Sequence, residues 1–278
     1  MNSQSVLLTG LTSFTGAYIA RALLDGGYKV VCPLRAKKES YDGIKKHRLE
    51  LALKAKIIDS VDISSSQIVD LCVEIKPQVF INHGGYIENY RSDDFNVLKH
   101  LETNLQQVQP LIKTLKENGC KLFIHSGSAF EPGEEYSKYG LVPYGVAKKM
   151  VWDLTLFWCH KYSLPAIKVV IPNPYGELEN EDRLLPVFSK KIKKGEEVQL
   201  REAEVVRNNI KAKDLAQYYL DAVQTPISSN DASGGFFSLE MKPLGFRETQ
   251  KQFVFRALAE EPYSLDIREI NRLVKVVA

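Results

Sequence analysis

Ser5-Val-Leu-Leu-Thr-Gly10-Leu-Thr-Ser13-Phe-Thr-Gly16-Ala-Tyr-Ile-Ala-Arg-Ala-Leu-Leu24-Asp-Gly-Gly-Tyr28-Lys-Val-Val-Cys32 reads as strand, glycine-rich turn, helix and strand. Ser5 to Leu8 is short and apolar. Ala17 to Leu24 is helix-forming and stops at Gly26-Gly27, and Tyr28 to Cys32 returns to strand formers. A strand that feeds a helix through glycine is the start of a dinucleotide-binding unit. Thr9, Gly10, Ser13, Phe14 and Gly16 are the expected contacts in that turn. Glycine lets the backbone approach a pyrophosphate, and the helix N-terminus receives its charge. Ser13 stands where a third glycine is expected.

The residues after Cys32 bear on which dinucleotide. A free ribose 2′-hydroxyl calls for an acid about 20 residues past the loop. Here Pro33-Leu34 leads to Arg35, Lys37 and Lys38, while Glu39 and Asp42 come later. A guanidinium beside lysines suits a 2′-phosphate. Arg35 and Lys38 therefore favour NADP(H), with NAD(H) as the alternative.

Downstream, Ile57 to Ile63 holds a third strand with Asp62-Ile63 after it, and Ser65 to Lys76 is an amphipathic helix stopped by Pro77. Val79 to Asn82 is a fourth strand running into His83-Gly84-Gly85, where glycine again suggests close backbone approach to a ligand. His83 reads as a packed or pocket-wall residue. Lys99 to Lys116 reads as one long helix with Asn104 inside it. Lys121 to His125 is an apolar strand ending in Ser126 and Ser128. Tyr144 and Lys148 follow, four apart, on one face of the next helix. An ammonium beside a phenol favours the phenolate, so the spacing predicts a lowered Tyr144 pKa and an acid/base at a carbonyl or hydroxyl. Ser128 is placed to hydrogen-bond the same oxygen.

Composition bounds the reading. With 278 residues, 44% of them hydrophobic, the chain can form one large α/β domain or a domain with a small lobe. A net charge of +3 gives no case for nucleic acid. No run approaches the roughly 18 apolar residues of a membrane span, and the start lacks a signal peptide's pattern. Cys32, Cys72, Cys120 and Cys159 are too far apart for a metal site. They read as reduced thiols of a cytoplasmic protein, and no metal is expected.

In order and spacing, these motifs resemble the extended short-chain dehydrogenase/reductases of the nucleotide-sugar epimerase/dehydratase group, from about Val6 to about Val223. Thr9-Gly10-x-x-Ser13-x-x-Gly16 is similar to that family's loop with its middle glycine lost. Asp62-Ile63 matches its adenine-contacting pair, Asn82 to Gly85 its motif after strand four, and Asn104 its helix asparagine. Ser126-Gly127-Ser128-Ala129 and Pro143-Tyr144-Gly-Val-Ala-Lys148 resemble its catalytic segments. The resemblance implies Tyr144 as acid/base, Lys148 as its partner and ribose ligand, and Ser128 as the group orienting the substrate oxygen. Dehydratases of the group carry an acidic pair after the catalytic hydroxyl. Here Ala129 and Phe130 stand in those places and Glu131 comes one position late, which argues against 4,6-dehydration. The short loop from Glu131 to Val142 offers Tyr136 or Tyr139 as lining.

The same resemblance covers the second half. Pro172-Asn173-Pro174-Tyr175-Gly176 is similar to the family's Asn-Val-Tyr-Gly, which makes Asn173 a substrate or nicotinamide contact. Val206-Arg207 through Asp214-Leu215-Ala216 makes Arg207 a diphosphate clamp, with Arg183 a second candidate. Asp214 is expected to cap the helix from Leu215 to Val223, and Phe246 to Leu258 to form a helix. Exposed aromatics on the helix from Met150 to Tyr162 would mark a homodimer interface.

The expected architecture is a Rossmann-like, doubly wound parallel sheet with a small C-terminal substrate-binding lobe. Residues 1–165 would mainly bind NAD(P), and 166–278 mainly the substrate, interleaved with the last strands. The expected function is a 4-ketohexose reductase of a nucleotide sugar, with a 4-epimerase as the alternative. A non-catalytic NADP-binding sensor is the alternative of another class.

Overall fold

Strands of Val, Ile, Leu and Phe alternate with amphipathic helices, a pattern that buries both faces of a parallel sheet. The computed structural model describes residues 4–133, 140–225 and 236–277; Tyr136 and Tyr139 lie outside them.

The first half runs β1 (Ser5–Leu8), α1 (Phe14–Asp25), β2 (Lys29–Pro33), α2 (Gly43–Leu51), β3 (Lys56–Ile58), α3 (Gln67–Ile75), β4 (Val79–Asn82), α4 (Val97–Leu105), α5 (Val108–Glu117) and β5 (Leu122–Ser128). Then come α6 (Pro143–Lys161), β6 (Ala166–Ile171), β7 (Asn173–Tyr175), α7 (Leu184–Ile192), β8 (Val198–Leu200), β9 (Val206–Lys211) and α8 (Ala212–Gln224). The chain continues through β10 (Ser238–Met241), β11 (Phe246–Thr249), α9 (Gln250–Ala259), α10 (Ile267–Leu273) and β12 (Val274–Val276).

Seven strands form a parallel sheet in the order β10-β6-β5-β4-β1-β2-β3. Leu8, Ile19, Leu23, Ile124, Leu215 and Tyr219 are buried on one face. Leu7, Phe80, Phe123, Ile112, Leu115 and Trp152 are buried on the other. The order reverses between β1 and β4, and ligands bind open sheets in the crevice beyond the strand ends at such a point. A third core, with Tyr175, Phe188, Val198, Phe253 and Leu273, holds the C-terminal lobe. β6 and β10 belong to the main sheet although they come late in the chain.

Several boundaries differ from expectation. Lys99 to Lys116 is two helices, separated at Gln106-Gln107. α4 packs on α6, while α5 packs on both α6 and α3. The third strand ends at Ile58, because the chain turns at Ser60 with φ +60°. Phe246 to Thr249 is a strand antiparallel to β9, and the helix begins only after Thr249. There the Thr249 hydroxyl accepts from Gln252 N while the Gln252 side chain accepts from Thr249 N, a capping box. Lys211, not Asp214, is the N-cap of α8; Asp214 lies in the first turn, where its charge still suits the helix dipole.

Candidate active site

The ends of β1 and β4 are joined by a threonine. Thr9 Oγ1 accepts from His83 N at 2.9 Å and Gly84 N at 2.8 Å. Gly10 has φ +79°, and a Cβ there would lie 2.8 Å from Gly84 N, so the two loops pack backbone on backbone. Ser13 caps α1, its hydroxyl accepting from Gly16 N at 3.0 Å. His83 Nε2 lies 3.2 Å from that hydroxyl and 3.0 Å from Thr15 Oγ1. His83 Nδ1 lies 2.7 Å from Ser126 Oγ, which lies 2.7 Å from the Tyr219 hydroxyl. Burial, reinforced by the Lys148 charge, pushes His83 down to about 3, so the ring is neutral.

These residues fit a dinucleotide. The Ser13 side chain is folded onto Gly16 and His83. No acid stands in the first turn of α1, whose leading amides have no intrahelical acceptor. Phe14 is buried in that turn. Arg35 is exposed just past β2, beside Lys38, whose amide donates to Asp59 at 2.9 Å. Asp62 is held below the usual carboxylate range by hydrogen bonds from Ser64 and by the Arg35 charge. Thr9, Ile63, Asn82 and Asn104 line one small cleft. Asn104 donates to His100 O at 2.8 Å and packs against Gly85.

The catalytic candidates lie around the end of β5. A Cβ on Gly145 would sit 1.8 Å from Phe130 O, so the first turn of α6 rests directly on the loop that follows Ser128. Ser128 Oγ accepts from Phe130 N at 3.2 Å. Tyr144 is boxed by Tyr90, Phe95 and His100, at 5.4, 5.4 and 5.6 Å between ring centroids. Lys148 donates to Ser126 O. Burial lowers Lys148 to about 8, against an upward pull from Glu131.

The expectation of a lowered Tyr144 pKa is corrected. Burial raises it, with Tyr90 and Glu131 adding to the effect. The three rings strip a half-buried Tyr144 of part of the water a phenolate needs, and the lysine hydrogen bond found here goes to a backbone carbonyl.

Beyond Phe130 lies a cavity of about 550 Å³. Asn173, Arg183 and Arg207, far apart in sequence, all line it. Asn173 Nδ2 donates to Asn209 Oδ1 at 2.6 Å, and Arg183 donates to Asn173 Oδ1 at 3.2 Å. Arg183 pairs with buried Glu179 at 2.7 Å, and Arg207 with Glu202 at 2.9 Å. Burial raises Glu179, with Arg183 opposing it. Arg91 and Arg201 complete a set of four guanidiniums in the lining. Sequence reasoning passed over both, because neither sits in a motif.

A profile of the NAD dependent epimerase/dehydratase family matches residues 6–232. The chain belongs to this family. It is 24% identical over 226 residues to a CDP-abequose synthase of Salmonella muenchen, covering 78% of this chain and 69% of that protein. Among solved structures it is similar to the UDP-glucuronic acid 4-epimerase of Bacillus cereus, with a TM-score of 0.74, 17% identity and coverage of 99% and 86% of the two chains. It is also similar to the dTDP-glucose 4,6-dehydratase of Streptomyces venezuelae, with a TM-score of 0.70, 18% identity and coverage of 99% and 84%. At these identities the structures establish the fold. As an epimerase/dehydratase family member, the chain has its glycine turn, Tyr144 and Lys148 at the strand ends where this fold binds ligands.

Proposed function

We propose that the protein is a 4-ketohexose reductase of a nucleotide-activated sugar, using NADP(H), with Tyr144 as its acid. The observation that carries this reading is the position of Phe130, which meets Gly145 beside Tyr144 and also lines the arginine cavity. Ser128 and Tyr144 lie to either side of the Phe130–Gly145 contact, and Phe130 opens the cavity lined by four arginines. Guanidiniums match diphosphate oxygens bidentately. A nucleotide diphosphate held by Arg183 and Arg207 would leave its sugar towards Ser128 and Tyr144. The residues after 165 that line this cavity would then form the substrate-binding part.

Bound nicotinamide supplies the hydride in this chemistry. The chain's part is to hold the sugar carbonyl against Ser128 and to donate a proton from Tyr144. The raised pKa keeps Tyr144 a phenol at neutral pH, the state a reduction consumes. Lys148 would steady the developing phenolate and bind the ribose. Ala129 and Phe130 provide no acid pair for water loss, and the Glu131 carboxylate is engaged elsewhere. Arg35 and Lys38 support NADP(H) over NAD(H). The name of the Salmonella relative makes CDP-linked 4-keto sugars the first substrates to try.

The test follows NADPH oxidation with 4-keto nucleotide sugars. Tyr144→Phe should cut turnover by about a hundredfold or more while dinucleotide binding survives. Undiminished turnover would remove Tyr144 from the mechanism. Interconversion of 4-hydroxyl epimers without net NADPH use would instead make the protein a 4-epimerase.

A homodimer belongs to the same reading. Val146, Met150, Leu154 and Phe157 form an exposed apolar row on α6. Sedimentation as a monomer at micromolar concentration would refute it.

A further inference from the structure

Glu131 lies just beyond the catalytic serine, fully buried. Its Oε1 accepts the Ser128 amide at 2.8 Å, and its Oε2 lies 3.2 Å from Lys168 Nζ. Lys168, 2% exposed on β6, also reaches Glu240 on β10 at 2.5 Å. A line of charge thus runs from beneath Ser128 to the edge strand of the sheet. A buried ion pair gives little net stability over apolar side chains of the same volume. Charge at this corner calls for a use beyond cohesion.

The use lies in Lys148. The titratable groups around it are His83 from β4, His100 from α4, His125 from β5, Tyr144 on its own helix, Lys168 from β6 and Glu131. Burial holds all three histidines neutral, and Lys168 repels Lys148. Among these groups of the described residues Glu131 is the acid, and its Oε1 takes the Ser128 amide two residues along β5 from the Ser126 carbonyl that Lys148 binds.

We propose that Glu131 is a positioning residue of the active site, which anchors the Ser128 loop through the serine amide and serves as the buried counter-charge of Lys148. Neither task needs Glu131 to touch substrate. A glutamine at this position would still offer an oxygen to the amide but would remove the charge. The inference rests on Tyr144 and Lys148 being the working pair, while its deciding readouts, the Lys148 midpoint and the Ser128 amide, need no substrate.

The experiment is ¹³C NMR of the whole chain labelled at lysine Cε, with Lys148 assigned through Lys148→Arg. The wild-type Lys148 signal should titrate at about 8. In Glu131→Gln its midpoint should fall towards about 7, and the alkaline limb of turnover should move with it. A folded Glu131→Gln that melts lower but leaves the Lys148 midpoint in place would overturn the proposal. Should that variant not fold, amide exchange of the wild-type chain decides. The Ser128 amide should be protected like those of β5, and exchange at the rate of an exposed loop would overturn the anchor. If the midpoint falls as expected but Tyr144→Phe keeps full turnover, the reductase reading fails, and of this one only the pairing of Glu131 with Lys148 stands.

Discussion

Lys148 is placed at a cost that can be measured. Burial lowers it from 10.5 to about 8, and each pH unit corresponds to about 1.4 kcal/mol. Below pH 8 the side chain is charged in both the folded and unfolded chain, and the folded state carries the full penalty. Between pH 8 and 10.5 the folded chain releases its proton first, so folding gains stability as pH rises. Above 10.5 the side chain is neutral in both states and the penalty is gone. Solvent at the partly exposed face of Lys148 discounts the total to about 2–3 kcal/mol. Lys148→Met keeps the length and removes the charge. At pH 7 the variant should be the more stable protein, less whatever the lost bond to Ser126 O contributed. The firmer expectation is the change with pH. Urea unfolding of both proteins from pH 7 to 10.5 should show the difference between them move by about 2–3 kcal/mol in favour of wild type. Other titrating groups cancel in that difference. A difference that stays flat over the range would show that Lys148 is not penalised by burial, and would refute the electrostatic account of the site.

Other perturbations test other parts of the site. Gly145→Ala gains about 1 kcal/mol of helix propensity but drives its methyl to 1.8 Å from Phe130 O, a backbone atom that must move. It should be net destabilising and should lower turnover, because Ser128 lies on the same loop; a higher melting temperature with full activity would deny the contact. His83 and His100, at about 3 and about 4, lie below their unfolded value of 6.5. Their stabilisation is present above pH 6.5 and is lost as pH falls towards 4; His83→Gln should flatten that loss in denaturant titrations, and an unchanged acid limb would exclude His83 from it. Arg35→Ala should weaken NADPH in calorimetric titration and leave NADH nearly unchanged, whereas equal weakening of both would assign Arg35 another task.

The sheet was readable because its signals are local. Ser5 to Cys32 carries strand, turn, helix and strand within one βαβ unit, and each later strand is a short apolar run between helices. The joint at Gln106-Gln107 was not readable, since it depends on which neighbours α4 and α5 find. Tyr144 and Lys148 were legible as a spaced pair. Their environment was not, since Tyr90 and Phe95 reach Tyr144 from a loop some fifty residues earlier. Arg91 and Arg201 join the cavity through the same kind of long-range folding. Glu131 has no motif at all; its importance lies in complete burial, which only packing reveals.

Ser13 and His83 carry a consequence for how such a turn tolerates substitution. The serine hydroxyl that replaces a glycine also serves His83, and His83 in turn reaches Ser126. Restoring glycine at 13 alone would strip α1 of its cap and remove one partner of a buried ring nitrogen. Replacing His83 alone by an apolar residue would take its hydrogen bond from the Thr15 hydroxyl and leave Ser126 Oγ with Tyr219 alone. Each step costs stability, and only the Ser13–His83 contact itself is shared between the two costs. The glycine turn, the end of β4 and the end of β5 are thus tied by one chain of side chains, so a change at 13 or at 83 is felt at all three.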